Sequence, residues 1–455
     1  MPTEIRRYVR SLGIDAYVVG GAVRDELLGI PHSDEDFLVP GVDQTGLRAA
    51  LEPHGRVEDM EVHGQLVGVR FYPRDRAIRA LAPSGIELTP PRRERSVGPG
   101  HRDFEIVADA SVSIADDMGR RDFTVNAMAR RLETGDLLDP FGGLAHLERR
   151  ELHTVGPDSF REDPLRILRG LRLLSQLSFT VTPDTLAQMR AEAGGLRHVS
   201  AERIGGGLES DGMGELSKLL LGARPGEALG LARDTGVLVE VIPEYGPVIG
   251  YDLGSSRQPG TLDAHLFEVV QQTAELGAEL SVRLCALLHD LGKPGLVGPG
   301  GTGHERLGAR IAGRVLRRLR YPNVLRDEVR RLVVGHAFDL DGPIDGVFAR
   351  RFLASHGLDR ARRLLLHKRA DLNVKRVEAW ELDHLAELER LLEAERDSPY
   401  RLADLAVDGR DLIELGYREG PAIGAALARL LDEVIDDPAA NEREHLLAEA
   451  GEWRR

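Results

Sequence analysis

The sequence predicts an α+β chain, with a mixed-sheet domain at its start and helices for the remainder. Two observations carry that expectation. Over residues 1–150, short apolar runs of strand length alternate with helical stretches. Beyond about residue 151, strand signals almost vanish and Leu/Ala/Arg/Glu segments with 3.6-residue periodicity take over. The length, 455 residues, exceeds a single hydrophobic core and implies about three or four domains.

Taken in order, Tyr17-Val18-Val19, Phe37-Leu38-Val39, Leu66 to Phe71, Gly85 to Leu88 and Phe104 to Val107 read as the strands of a domain over residues 1–150. Residues 151–255 read as a helical neck, with Pro225-Gly226 and the loop from Gly246 to Gly260 marking its end. A second helical unit follows over residues 256–376, interrupted by the glycine-rich stretch Pro294 to Gly303. Residues 377–455 form a tail in which Leu382 to Ala394 reads as a charged amphipathic helix and Ser398-Pro399 opens the last segment.

Composition excludes several classes. A net charge of −14 excludes a uniformly basic nucleic-acid coat. The single cysteine, Cys285, excludes an intrachain disulfide or a cysteine-based zinc site and points to the cytoplasm. No run of about 18 apolar residues occurs, and the first residues make a poor signal peptide, so a soluble chain with no membrane partner is expected. Only four of the 60 basic residues are lysine, at 218, 293, 368 and 375. Oligomeric state is not legible.

The first candidate site lies in Val18-Val19-Gly20-Gly21-Ala22-Val23-Arg24-Asp25 and Ser33-Asp34-Glu35-Asp36-Phe37. Adjacent glycines between strand and helix let backbone N–H groups approach a triphosphate. Asp34 and Asp36, two apart in an extended chain, point to one face and can grip hard divalent cations. Two-metal transfer usually needs another carboxylate from a neighbouring strand, for which Glu87 is the candidate and Glu105 its rival. The reaction class is magnesium-dependent nucleotidyl transfer.

Further motifs follow in order: Arg120-Arg121-Asp122-Phe123-Thr124-Val125-Asn126, Asp139-Pro140-Phe141-Gly142-Gly143, and Glu162-Asp163-Pro164-Leu165-Arg166-Ile167-Leu168-Arg169. Together with the glycine pair and the Asp-x-Asp, this resembles the bacterial class II tRNA nucleotidyltransferase and poly(A) polymerase family, whose best-known members add CCA to tRNA 3′ ends. The resemblance implies a polymerase-beta-like nucleotidyltransferase head with tRNA, CTP and ATP as partners. It assigns metal binding to Asp34 and Asp36, and ribose recognition to Arg121 and Asp122. It makes Asp139 to Gly143 a hinge, and Asp163 with Arg166 a protein template for the incoming base. The nucleotide site it implies takes in Gly20, Gly21, Arg24, Asn126, Glu162 and Arg169 as well. Base reading is chemically sound, because C and A both offer an amino donor beside a ring-nitrogen acceptor, matching a carboxylate and a guanidinium. Asp163 also suits a helix N-cap, followed by Pro164 in the first turn. The stretch Ala115-Asp116-Asp117-Met118-Gly119 departs from the usual Asp-Leu pair, away from the catalytic set. Thr89 to Asp103 resembles the flexible basic loop that members need for the final A.

In the second helical unit, Leu287-Leu288-His289-Asp290-Leu291-Gly292-Lys293 ends an apolar helix, with His265 one helix upstream and His304, His336 and Asp371 downstream. This resembles the HD phosphohydrolase superfamily. That likeness implies His265, His289, Asp290 and Asp371 as ligands of an unspecified divalent metal, and His304 and His336 as completing a second site. Residues 310–331 and 350–376 are two basic stretches, with eight and nine Lys or Arg, that could line a tRNA path. The expected function is template-independent CCA addition from CTP and ATP, with phosphohydrolase activity on RNA ends. The alternatives are a CC-only, A-only or poly(A)-adding enzyme and, in a different class, an RNA-end phosphohydrolase whose head only binds nucleotide.

Overall fold

The computed structural model describes residues 2–32, 35–62, 64–96, 104–107, 110–206, 213–252, 254–295 and 303–453. They divide into two compact units, residues 1–243 with 318–321, and residues 244–317 with 322–455.

The first unit is built on strands β1 (Tyr17–Val19), β2 (Asp36–Leu38), β3 (Gly55–Val62), β4 (Gln65–Pro73), β5 (Ile86–Thr89), β6 (Arg93–Ser96), β7 (Phe104–Val107), β8 (Ala129–Arg131) and β9 (Leu137–Leu138). Seven of them form one mixed sheet in the order β3-β4-β5-β2-β1-β8-β9. The β2–β5 pairing is parallel and its neighbours are antiparallel. Val18, Phe37, Leu38, Val69, Phe71 and Leu88 are buried, so the central strands carry the core.

Four strands, β3, β6, β8 and β9, escape the sequence pattern, and for β3 and β6 the physical reason is plain. β3 carries Arg56, Glu58, Asp59 and Glu61 and shows no apolar alternation, because it is the sheet's edge, where charge is tolerated and discourages pairing with other chains. β6 falls inside the stretch expected to be a basic loop. It pairs with β7 as a separate two-stranded ribbon, so that stretch is partly a hairpin, and residues 97–103 lie outside the described residues.

Past residue 150 the described residues hold one short parallel strand pair, Glu151–Leu152 with Thr180–Val181, and are otherwise helical. Helix Leu165–Leu177 buries Leu165, Ile167, Leu168, Leu171 and Leu174 against helices Glu215–Leu220 and Pro225–Asp234. In the second unit, helix Leu280–Leu288 is buried at all nine positions, Cys285 included. Helices Leu262–Glu275, Asn323–Gly335 and Leu358–Asn373 surround it. No helix among the described residues is long and apolar enough to cross a membrane.

The second basic stretch is not an open cationic face. Arg350 pairs with Glu395, Arg351 with Asp436, Arg360 and Arg363 with Glu328, Arg362 with Glu393, and Arg369 with Glu389. These arginines fasten helices Gly346–His356 and Leu358–Asn373 to Glu328 of helix Asn323–Gly335, to helix Ala379–Ala394 and the Glu395 that caps it, and to Asp436 at the end of helix Pro421–Asp436.

Candidate active site and metal centre

In the first unit the parallel register sets Asp36 of β2 directly opposite Glu87 of β5. Side chains alternate along a strand, so Asp36 is exposed while Glu35 turns inward, its side chain 2% exposed and paired with Arg6 at 2.6 Å. Glu87 is held by Arg70 at 2.5 Å. Asp34 lies outside the described residues. Of the two candidates for a further carboxylate, only Glu87 stands on a strand beside Asp36; Glu105 is on β7, which pairs with β6.

The implied nucleotide residues form a hydrogen-bonded chain. Arg24 Nη1 donates to Asn126 Oδ1 at 2.6 Å, Asn126 Nδ2 to Asp122 Oδ1 at 2.9 Å, and Arg169 Nε to Asp122 Oδ2 at 2.8 Å. Burial alone would push the Asp122 carboxyl up; Arg169, Asn126 and the Phe123 N–H outweigh it and hold Asp122 well below the usual carboxylate range. Gly20 has φ 73°, and a Cβ there would collide with the Arg121 guanidinium. Its N–H donates to Met128 O at 3.2 Å. The glycine therefore clears room for Arg121 as well as turning the chain from β1 into helix Gly21–Leu27.

Arg121 is held from below by Asp117, a fully buried carboxylate that pairs with Arg120 at 2.8 Å and Arg121 at 3.2 Å. The departing stretch Ala115–Gly119 thus does touch the nucleotide set. The sequence signal was an acid four residues before an arginine, Asp117 lying in helix Ile114–Gly119 and Arg121 just past its end. Arg121 Nε is buried without a hydrogen-bond partner among the described residues, a donor left for a ligand.

Around the base-reading motif, helix Leu165–Leu177 starts with Pro164 at the N-cap position rather than Asp163. Asp163 Oδ1 still accepts from the Leu165 N–H at 3.1 Å, and Arg203, which sequence reasoning missed, reaches Asp163 Oδ2 at 3.3 Å. Buried Arg166 donates to Ser159 Oγ at 3.1 Å and Arg120 O at 2.6 Å, and lies 3.5 Å from Glu162.

In the second unit all six implied HD residues converge. His265 Nε2 is 3.1 Å from Asp371 Oδ1, and His289 Nε2 is 3.2 Å from Asp290 Oδ2. Asp290 Oδ1 faces His304 Nε2 at 3.2 Å and His336 Nε2 at 3.6 Å. Asp290 thus belongs to two ligand groups, one with His265 and His289, the other with His304 and His336. Close as they lie, His265 Nε2, His289 Nε2, Asp290 Oδ1 and Asp371 Oδ1 are buried and form no well-aligned hydrogen bond among the described residues. Such a set of stranded donors fits divalent cations, with imidazole and carboxylate ligands. Burial lowers His289 to about 4, which leaves its imidazole neutral and able to ligate. A fifth imidazole, His367, was not singled out: its ring is 4.8 Å from that of His289 and both its nitrogens are buried without hydrogen-bond partners among the described residues. Its spacing of four from Asp371 on one helix was the available clue.

Known proteins match the segments that carry both candidate sites. A family model described as "Poly A polymerase head domain" matches residues 16–153, "Probable RNA and SrmB- binding site of polymerase A" matches 178–247, and "HD domain" matches 262–390. A Multifunctional CCA protein of Methylococcus capsulatus is 34% identical over 451 residues, covering 91% of this chain and 93% of that protein. The chain belongs to the multifunctional CCA protein family. Another relative of that name, from Dechloromonas aromatica, is 37% identical over 320 residues, 68% of this chain and 71% of its own. Among solved structures, the Bacillus stearothermophilus CCA-adding enzyme in complex with CTP superposes with a TM-score of 0.70 at 26% identity, covering 99% of this chain and 96% of that one. The nucleotidyltransferase and HD families are both metal-dependent, and the two His/Asp groups of the second unit could hold a metal ion.

Proposed function

We propose that the chain adds CCA to tRNA 3′ ends in the cytoplasm, using CTP and ATP, and that its HD centre hydrolyses phosphate esters at RNA ends. The observation that carries the first part is the register of Asp36 beside Glu87, in a head joined to the linked Arg24, Asn126, Asp122 and Arg169 side chains. Asp34 and Asp36, with Glu87, would hold magnesium, which lowers the pKa of the attacking 3′-hydroxyl and neutralises the triphosphate and departing pyrophosphate. The 3′-oxygen forms a bond to the α-phosphorus, and the bond to pyrophosphate breaks. Gly20, Gly21, Arg24 and Arg121 cradle the triphosphate and ribose beside Asp122. Asp163 accepts the base's amino proton, and Arg166 exchanges its Ser159 bonds for the ring nitrogen, with Glu162 and Arg169 steadying the pair. Purified protein given tRNA ending at the discriminator base, at C or at CC should extend all three to CCA, as read by product length. Extension from CC alone, arrest at CC, or continued A addition would replace this reading with one of its alternatives.

For the HD centre, the carrying observation is the pair of ligand groups sharing Asp290. Opening of a 2′,3′-cyclic phosphate by water breaks one ribose P–O bond, and the freed ribose oxygen takes the proton. Hydrolysis of 2′,3′-cyclic AMP, screened across Mg, Mn, Ni and Zn, should be lost in Asp290→Ala; equal rates would remove the phosphohydrolase reading.

An RNA path is favoured by helix His304–Arg318, where Arg306, Arg310, Arg314 and Arg317 are exposed at helical spacing with no ion-pair partner among the described residues. Replacing Arg310, Arg314 and Arg317 by Gln together should weaken tRNA binding and flatten its salt dependence by roughly 0.7–0.9 log units per lost phosphate contact. An unchanged slope in a filter-binding titration would take tRNA off this face.

A further inference from the structure

Three of the chain's four lysines gather at the HD centre. Lys293 Nζ lies 2.5 Å from Asp290 Oδ2, and Lys375 Nζ lies 2.5 Å from Asp371 Oδ2. Lys368 stands three residues before Asp371 on the same helix. Elsewhere arginine supplies nearly all of the cations. An ammonium is a compact point charge with three rotatable donors, whereas a guanidinium is a broad planar fork. Lysine is therefore favoured where a cation must fit a small space beside a carboxylate.

That space exists. A cavity of 260 Å³ reaches Asp371 and is lined by Lys368, Lys375 and Gln258, among others. Lys368 Nζ donates to Phe338 O at 2.8 Å and sits 4.9 Å from the Phe338 ring centre, which fixes its position and leaves two donors. Gln258 is 6% exposed, and its Nε2 is buried without a hydrogen-bond partner among the described residues. A buried, unsatisfied amide donor in a cavity wall calls for an acceptor on the occupant. The same cavity is bounded by Asp339 and Asp341, both exposed and so on its solvent side. Carboxylates also line its interior, but buried Asp371 is paired with Lys375 and buried Glu381 with Arg257, which leaves Lys368 and Gln258 as the inner donors with no carboxylate paired to them and Asp339 and Asp341 at the mouth. Its volume suits a sugar phosphate, below the roughly 300–1,000 Å³ of pockets that enclose larger ligands.

We propose that this cavity is the HD centre's subsite for a terminal ribose phosphate, with the phosphoryl group inward against Lys368, Lys375 and Gln258 and the ribose hydroxyls outward against Asp339 and Asp341. The proposal rests on the phosphohydrolase reading above and adds to it the residues that bind substrate and an indifference to the base, which stays outside.

The test uses the full-length, metal-loaded chain and compares wild type, Lys368→Met, Gln258→Ala and Asp290→Ala. Lys218→Met serves as a control, and 2′,3′-cyclic AMP and 2′,3′-cyclic CMP as substrates. Lys368→Met and Gln258→Ala should each raise KM, and the inhibition constant of inorganic phosphate, by about tenfold or more, because each removes a donor to a charged group. Bound metal per chain, melting temperature and kcat should stay within a few-fold of wild type, and the two cyclic nucleotides should behave alike. Lys368→Arg should not restore KM. Unchanged KM and phosphate inhibition in the folded variants, or a strong preference between the two bases, would overturn the subsite while leaving the hydrolytic reading standing. If wild type hydrolyses neither nucleotide, the hydrolytic reading fails and equilibrium binding of inorganic phosphate decides the subsite. Binding to wild type that weakens in both variants supports it; equal or absent binding overturns it.

Discussion

Asp36→Ala should lower incorporation of CMP and AMP into tRNA by about 10³-fold or more, measured under single-turnover conditions with saturating nucleotide. Loss of a carboxylate that grips catalytic magnesium removes several kcal/mol of transition-state stabilisation, and each 1.36 kcal/mol is worth about tenfold in rate. Asp36 is exposed at the start of β2 but attracts the buried Arg121 guanidinium, so the stability loss should be about 1 kcal/mol, or about 2–4 °C in melting temperature. The converse is informative too: Glu35, the inward neighbour bound to Arg6 and His32, should when replaced by Gln change stability more than incorporation rate. If Asp36→Ala left incorporation intact, the catalytic metal site would have to be sought elsewhere.

Asp122→Ala should be the most destabilising of the site substitutions. The carboxylate is buried and holds Arg169, Asn126 and the Phe123 N–H at once. Removing it strands a cation and an amide, a cost of roughly 3–5 kcal/mol for a buried pair. The Arg169 side chain keeps 40% of its exposure, which places the expectation at the lower end, about 3 kcal/mol, or about 6–12 °C in melting temperature. The pH dependence has a definite sign. Asp122 has a lowered carboxyl pKa in the fold, so its contribution is fully present above the unfolded value of about 3.9 and is lost as pH falls toward the folded value. The stability gap between wild type and Asp122→Asn should therefore be constant near neutrality and narrow below about pH 4. A gap that widened in acid would refute the ionised, multiply bonded Asp122.

Local signals carried much of both sites. The exposure of Asp36 and the turn made by the two glycines were legible because strand alternation and backbone permissiveness act over a few residues. The His289-Asp290 motif was legible because it ends a wholly apolar helix. Missing from the sequence pattern were partners contributed from far along the chain or hidden by neutral spacing. Nothing local says that Arg203 will reach Asp163 or that His367 will face His289. Edge strand β3 was illegible because an edge need not alternate.

The charge distribution divides the two sources of information most clearly. From the sequence alone, residues 377–455 carry 21 acids against nine bases, and the chain as a whole cannot be a uniformly basic binder. The α+β order was likewise set by motif and period. Which arginines remain available to RNA was decided only by tertiary structure. Glu389, Glu393 and Glu395 of the acidic segment neutralise the second basic stretch, whereas the arginine row of helix His304–Arg318 faces solvent. The choice of Glu87 over Glu105 as neighbour to Asp36 was decided the same way, because parallel register joins residues 51 positions apart. Helical and strand periods are properties of neighbouring residues; ion pairing and strand register depend on which distant segments meet.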